Sequence, residues 1–345
     1  MVKLFRAFRA EQRKLWSKGS LLGCFVLMFV LSFALSFMCS VLRNTGVDTE
    51  GLMLGEHFSA AMEVFDDQTS WKTQAQNTVE ECEEGISQTA VLLTDSTGAQ
   101  RVRLERRMAV LVQERDIVRY RLDNDLPLFD WSANHALIFC LWMMTPVAAI
   151  ISVIYASDIF AGEYARGTMR MILSRPVTRI KIYIAKLTTA LLLGGLLLGV
   201  AYVAAGIGCG VLMTPSQGVY VGLANGSVYV TGWGNHVFAV FLCCCAMLAV
   251  VIALCAALGN TTRSRGVSAA VPSALALAGM WLGQLSGLID SGVVGVLLPF
   301  CYDLTVPLCG VAWNSDCALL SCALSMLIHF VLLITVGYSG LKRDV

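Results

Sequence analysis

GEYARGTMRMILSRPVTRIKIYIAK, residues 162–186, carries six basic side chains, Arg166, Arg170, Arg175, Arg179, Lys181 and Lys186, between two long apolar runs. The runs beside it, 135–157 and 187–213, contain no Lys, Arg, Asp or Glu. Each is long enough to cross a hydrocarbon core of roughly 30 Å as a helix. Four further runs share that character, at 20–42, 236–258, 267–289 and 317–339. With 57% hydrophobic and 14% charged residues over 345 positions, the chain reads as a membrane protein of six transmembrane helices, all-α in class. The first run is too long for the apolar region of a secretory signal, and no A-x-A site follows it. It is expected to stay as a permanent span.

Charge sets the expected orientation, because Lys and Arg in short loops stay on the cytoplasmic side. Six basic residues precede 20–42, six lie in the loop 158–186, Arg263 and Arg265 lie between 258 and 267, and Lys342 and Arg343 follow 339. The loops 214–235 and 290–316 contain none. Six spans with both termini inside place all sixteen on one side, whereas losing a span would reverse half the pattern. The segment 43–134 holds nine basic and seventeen acidic residues, a net of −8. A loop of that length crosses regardless of its charge.

Within this frame, residues 1–18 read as an amphipathic elbow helix lying in the headgroup plane, with Phe5, Phe8 and Trp16 toward the acyl region and basic side chains near anionic lipid. The alternative is a basic tail that only sets topology. Residues 43–134 read as an extracytoplasmic helical domain. Val79, Cys82, Ile86, Ala90 and Leu93 mark one helix, and Leu104, Met108, Leu111, Val118 and Leu122 mark another, with a turn at 95–98. The segment 291–311 is apolar but broken by Pro299, Asp303 and Pro307, and reads as a re-entrant outer element or a packed loop. Gly194, Gly195, Gly199, Gly206, Gly208 and Gly210 in the third span predict close helix packing, inside the chain or against a second copy.

Several chemistries lack their residues. The Lys72-Thr73 pair has no glycines at the offsets of a phosphate-binding loop, so the chain is not expected to bind ATP in that way. No G-x-S-x-G elbow and no ligand-spaced His and Cys set occurs, so neither a catalytic site nor a metal site is expected. No nucleic-acid partner is expected either. Most of the thirteen cysteines lie in the spans as small hydrophobes, leaving Cys82, Cys301, Cys309 and Cys317 as the only candidates for a bridge. The spans are nearly free of ionisable side chains, which argues against an ion-coupled transporter.

The opening stretch is punctuated as well as charged. Gly167-Thr168 interrupts the helix that leaves the second span, and Met169, Ile172 and Leu173 give a short amphipathic turn. Arg175-Pro176 stops it, because the residue before proline is pushed out of the helical region. Thr178 is placed to cap the next helix, and Glu163 is spaced to pair with Arg166 or Arg170.

These residues resemble the permease subunits of ABC type-2 transporters, exporters that include bacitracin-resistance, lantibiotic-immunity and sodium-export permeases. The family pattern is matched by Glu163, Gly167, Thr168, Met169, Ile172, Leu173, Ser174, Pro176, Val177, Thr178, Arg179 and Lys186. The basic N-terminal helix, the long outer loop, residues 262–265 and the closing Lys342-Arg343-Asp344 extend the likeness. The resemblance implies that 163–181 is a cytoplasmic coupling helix docking on a separate ATPase, which carries ATP and Mg, with Glu163, Arg166, Gly167, Thr168, Met169, Arg170, Ile172, Leu173, Arg175, Pro176 and Arg179 as its coupling residues. It also implies two ATPase copies, a second permease chain forming a homodimer with this one, and a prokaryotic cytoplasmic membrane. Two other readings stay open: a self-contained channel or carrier, and a receptor or immunity protein binding a peptide through 43–134.

Overall fold

The computed structural model describes residues 2–17, 19–45, 70–126, 133–169, 171, 177–213, 219–224, 227–285, 304, 308 and 319–342. Its helices are α1 (Val2–Trp16), α2 (Ser20–Thr45), α3 (Ser70–Thr94), α4 (Ala99–Asp123), α5 (Ala133–Phe160) and the single turn α6 (Gly162–Ala165). They continue with α7 (Arg179–Leu212), α8 (Trp233–Thr262), α9 (Arg265–Leu285) and α10 (Leu319–Lys342). Among the described residues, α2, α5, α7, α8 and α10 are long and apolar enough to cross a membrane. The run expected at 267–289 falls partly in α9, whose described apolar portion is the shorter Arg265–Ala278. Residues 286–289 of that run, the segment 291–311 apart from Leu304 and Leu308, and Cys301, Cys309 and Cys317 lie outside the described residues.

α5 and α7 form the centre of the bundle, with α2 packed on one side of α7 and α8 against α5. α8 in turn carries α9 and α10. The central core includes Phe139, Phe160, Tyr183, Leu197, Leu198 and Ile252. α2 and α10 form the margins, exposing Val26, Val30, Leu327 and Val331 as lipid-facing helices do.

Close approach in lipid needs small residues, because burying an apolar side chain against another gains little over burying it in acyl chains. α2 meets α7 through serines one turn apart: Ser32 donates to the Ala201 carbonyl at 2.7 Å, Ser36 to Ala205 at 3.5 Å and, one helical repeat further on, Ser40 to Leu212 at 3.1 Å. A Cβ on Gly208 would lie 2.7 Å from Ser36 Cβ. Gly194 faces inward, where a Cβ would lie 2.8 Å from Leu248 and 2.9 Å from Ile252. Gly195, Gly199, Gly206 and Gly210 face outward, with no atom within 4 Å of a built Cβ. The glycine-rich run thus splits into a packed face and an open face. α8 and α10 close in the same manner at Gly337, whose Cβ would meet Ala257 Cα at 3.2 Å, and Asn260 donates to the Gly337 carbonyl at 3.0 Å.

α3 and α4 form an antiparallel hairpin, closed by a turn in which Gly98 adopts φ +60. Trp71, Ala75 and Val118 are its small core, flanked by Val79 and Leu122. Cys82 is a buried free thiol, pushed up to about 11 by burial first and then by Glu114 and Glu81.

One element departs from the all-helical expectation. Val219–Ala224 and Ser227–Gly232 pair as antiparallel strands β1 and β2, from Val219 opposite Gly232 to Ala224 opposite Ser227. The alternation of Val219, Val221 and Leu223 with Val228 and Val230 around Asn225-Gly226 is the sequence signal of a tight hairpin. Reading 214–235 only for charge passed over it. The hairpin seats the Tyr220 ring on His236, centroids 3.5 Å apart, and against Trp233 at 5.2 Å. Trp233 in turn meets His135 edge-on at 4.7 Å. Arg121, at the base of the α3–α4 hairpin, is buried above this cluster; burial pulls its guanidinium down to about 10, with Tyr220 opposing.

Candidate functional site: the charged end of the bundle

α5 ends at Phe160 and one further turn, α6, follows it. That turn closes in a Schellman motif, the Gly167 N–H donating to Tyr164 O at 3.0 Å and the Thr168 N–H to Glu163 O at 3.1 Å. Gly167 takes φ +69, a left-handed conformation that a residue with a Cβ adopts only with strain. The Gly-Thr pair is therefore the physical stop of this helix. Gly162 is equally constrained, since a Cβ there would lie 2.5 Å from Asp158 Oδ1.

The stop places Glu163 inside the protein, at 0% exposure. Its two carboxylate oxygens divide between two cations: Lys14 of α1 on Oε1 and Lys186 of α7 on Oε2. Lys186, 2% exposed, also donates to the Ile159 carbonyl at 3.0 Å. Burial would raise the carboxyl, but Lys186 above all and then Lys14 outweigh it, and the group is held below the usual glutamate range. One carboxylate thus ties together the N-terminal helix, the turn after α5 and the start of α7.

The sequence expectation differs here. Among the described residues Glu163 pairs with Lys14 and Lys186 and not with Arg166, because the Schellman turn aims it inward, away from the exposed Arg166; Arg170 lies outside the described residues. Arg166 instead reaches Asp158 at 3.5 Å, and Arg265 at the start of α9 reaches the same oxygen at 3.0 Å. Lys186 lies within α7, which begins at Arg179, directly after Thr178 as the capping reading expects. Thr178 does occupy the N-cap position in extended conformation, but its hydroxyl makes no capping bond. Arg263, left-handed at φ +56, lies over the Tyr164 ring at 5.6 Å. Arg179 donates to the Lys342 carbonyl at 3.1 Å, fastening the end of α10.

Met169 is buried at the edge of the core. Arg170, Ile172, Leu173, Arg175 and Pro176 lie outside the described residues. On α1, Phe5 is 64% and Trp16 53% exposed, Phe8 is half-buried, and Leu15 turns into the core. Trp16 stacks on Phe25 of α2 at 5.9 Å, so the elbow is anchored at the junction with that helix. Sequence reasoning missed Lys14, Asp158 and Arg265 as partners. The available signal was an acid and a base, Glu163 and Lys186, each at the border of an adjacent apolar run.

The model of the ABC-2 family transporter protein matches residues 7–291, from α1 past the end of α9. The chain belongs to the ABC-2 transporter family. An ABC-2 protein of this kind is a membrane permease component of an ABC transporter, and the family implies partnership with an ABC ATPase subunit. With its apolar helices this makes the chain a multi-pass membrane protein. The search of curated proteins finds no match. The matched region contains the whole Glu163 junction, including Lys14, Asp158, Lys186 and Arg265, so the charged end belongs to the ABC-2 unit itself.

Proposed function

We propose that the chain is the permease subunit of an ABC exporter that moves an amphipathic or hydrophobic cargo, such as a peptide antibiotic, a lipid or a lipophilic drug. It works as a homodimer with two copies of a separate ATPase that binds ATP and Mg, in a prokaryotic cytoplasmic membrane. The charged end faces the cytoplasm and both termini lie inside, the orientation supported by the sixteen basic residues of the short loops. The cargo class follows from helices that offer Gly, Ser, Thr, Met and aromatic side chains in place of charges.

The observation that carries the reading is the Glu163 carboxylate shared by Lys14 and Lys186. A force applied by the ATPase at residues 163–181 reaches, through this carboxylate, both the elbow and the third span. The buried Glu163–Lys186 pair keeps a fixed geometry because separating it leaves a charge buried alone, and the half-exposed Lys14 ties the elbow to it. Docking at 163–181 therefore moves three elements together, as alternating access requires. Arg166, Arg170 and Arg175 face ATPase carboxylates in this scheme, and Gly167 sets the shape of the docking element.

The test is ATP-driven cargo export by the permease reconstituted with its ATPase. Gly167→Val combined with Arg170→Glu is expected to leave the chain inserted and to abolish coupled export. Unchanged export would sink the coupling assignment, and cargo movement by the chain alone, without ATP, would favour a self-contained carrier.

A further inference from the structure

A groove of about 730 Å³ runs between α1 and the first half of α7. Phe5 and Phe8 form one wall; Ile184, Thr188, Leu192 and Gly195 form the other. Its one hydroxyl is already engaged, because Thr188 donates back to the Ile184 and Ala185 carbonyls at 2.8 and 3.1 Å. The groove therefore offers a ligand hydrocarbon contact and no free hydrogen-bond donor among its lining side chains. Gly195 deepens it, since no atom stands within 4 Å of a Cβ built there. From Ile184 to Gly195 the helix advances about 17 Å at 1.5 Å per residue. That is close to one leaflet of hydrocarbon, about 15 Å.

A basic residue lies one helical turn from a lining residue on both helices. Lys181 lies three residues before Ile184, on the same face of α7, and Arg9 lies four residues after Phe5 on α1. α1 as a whole carries Lys3, Arg6, Arg9, Arg13 and Lys14 against the single acid Glu11. A second copy of the chain would bring the same cations to the same place, and like charges would oppose its seating. An anionic headgroup meets them favourably, while its acyl chain fills the apolar length.

We propose that this groove holds one acyl chain of an anionic membrane phospholipid, with the phosphate at Arg9 and Lys181, so that a resident lipid wedges the elbow against the third span. The inference rests on the membrane-spanning bundle and on neither the cargo nor the ATPase. Its test is native mass spectrometry of the full chain, loaded with phosphatidylglycerol or with phosphatidylcholine of identical chains. The wild type is expected to retain phosphatidylglycerol at least about tenfold better. Gly195→Phe, which fills the recess, is expected to lose both lipids. Arg9→Gln with Lys181→Gln is expected to keep chain binding while the headgroup preference falls roughly fivefold for each charge removed. Equal retention of the two lipids by the wild type, or undiminished retention by Gly195→Phe, overturns the proposal. Should Gly195→Phe fail to fold, a benzophenone amino acid replacing Leu192 in vesicles of both lipids decides. Light-induced attachment to phosphatidylglycerol supports the site, and attachment to a second chain or to neither lipid overturns it.

Discussion

The two ends of the bundle are fastened by opposite means. At the charged end, Glu163, Lys14 and Lys186 are joined as ions, with Asp158 drawing in Arg166 and Arg265 beside them. At the other end, Tyr220, His236, Trp233 and His135 meet ring against ring beneath Arg121. A buried ion pair contributes little net stability over an apolar replacement, yet losing one partner is costly because the other stays charged without compensation. Stacked rings contribute in proportion to area with a modest geometric bonus, and they slide before they break. The first design transmits a displacement; the second tolerates one.

The largest expected effect separates the two designs. Glu163→Ala leaves Lys186 buried without its carboxylate and is expected to cost on the order of 3–5 kcal/mol, read as a lowered thermal midpoint in detergent. Replacing Lys14 and Glu163 together should not restore the midpoint, because Lys186 remains. The same carboxylate carries a pH signature. Its value is depressed in the folded state, so its contribution is complete above the ordinary glutamate value and is lost as pH falls through the lower folded value. Acid titration of the wild type, set against Glu163→Ala, is expected to show that loss below about pH 4 only when Glu163 is present.

Next in size is a contrast within one helix. Gly208→Val drives a side chain into Ser36 and is expected to cost about 1–3 kcal/mol, whereas Gly199→Ala, facing open space, should be neutral or slightly stabilising. Equal midpoints for the two would erase the distinction between packed and open faces of α7. At the ring cluster, Tyr220→Ala removes the stack on His236 and is expected to lose about 0.5–1.5 kcal/mol beyond the area it uncovers, as a double-mutant cycle with His236→Ala would measure. Smallest is Ser32→Ala, which removes one interhelical hydroxyl bond to Ala201 and should cost about 0.6 kcal/mol.

Much of the architecture was legible because membrane spans announce themselves by length and missing charge: α2, α5, α7, α8 and α10 each coincide with an apolar run. The paired helices at Ser70–Thr94 and Ala99–Asp123 follow from three- and four-residue spacing. The β-hairpin was equally legible, in Asn225-Gly226 between alternating residues, but an all-helical expectation hid it. The destination of Glu163 was not legible. Periodicity reports which face of a helix is apolar, not that a Schellman turn at Gly167 rotates an acid toward lysines 149 residues before it and 23 after. Local spacing favoured Arg166 as partner, and tertiary packing chose otherwise.

That separation along the chain has a consequence for how the protein is made. The ribosome delivers Lys14 first and its partner 149 residues later. At about 5–20 residues per second, the elbow waits for roughly seven to thirty seconds before Glu163 emerges to pin it. During that interval its amphipathic character, the lipids beneath it and the Trp16 stack on Phe25 hold it at the surface. The joint that later moves as one piece is, at birth, left open on its N-terminal side until the second span has been made.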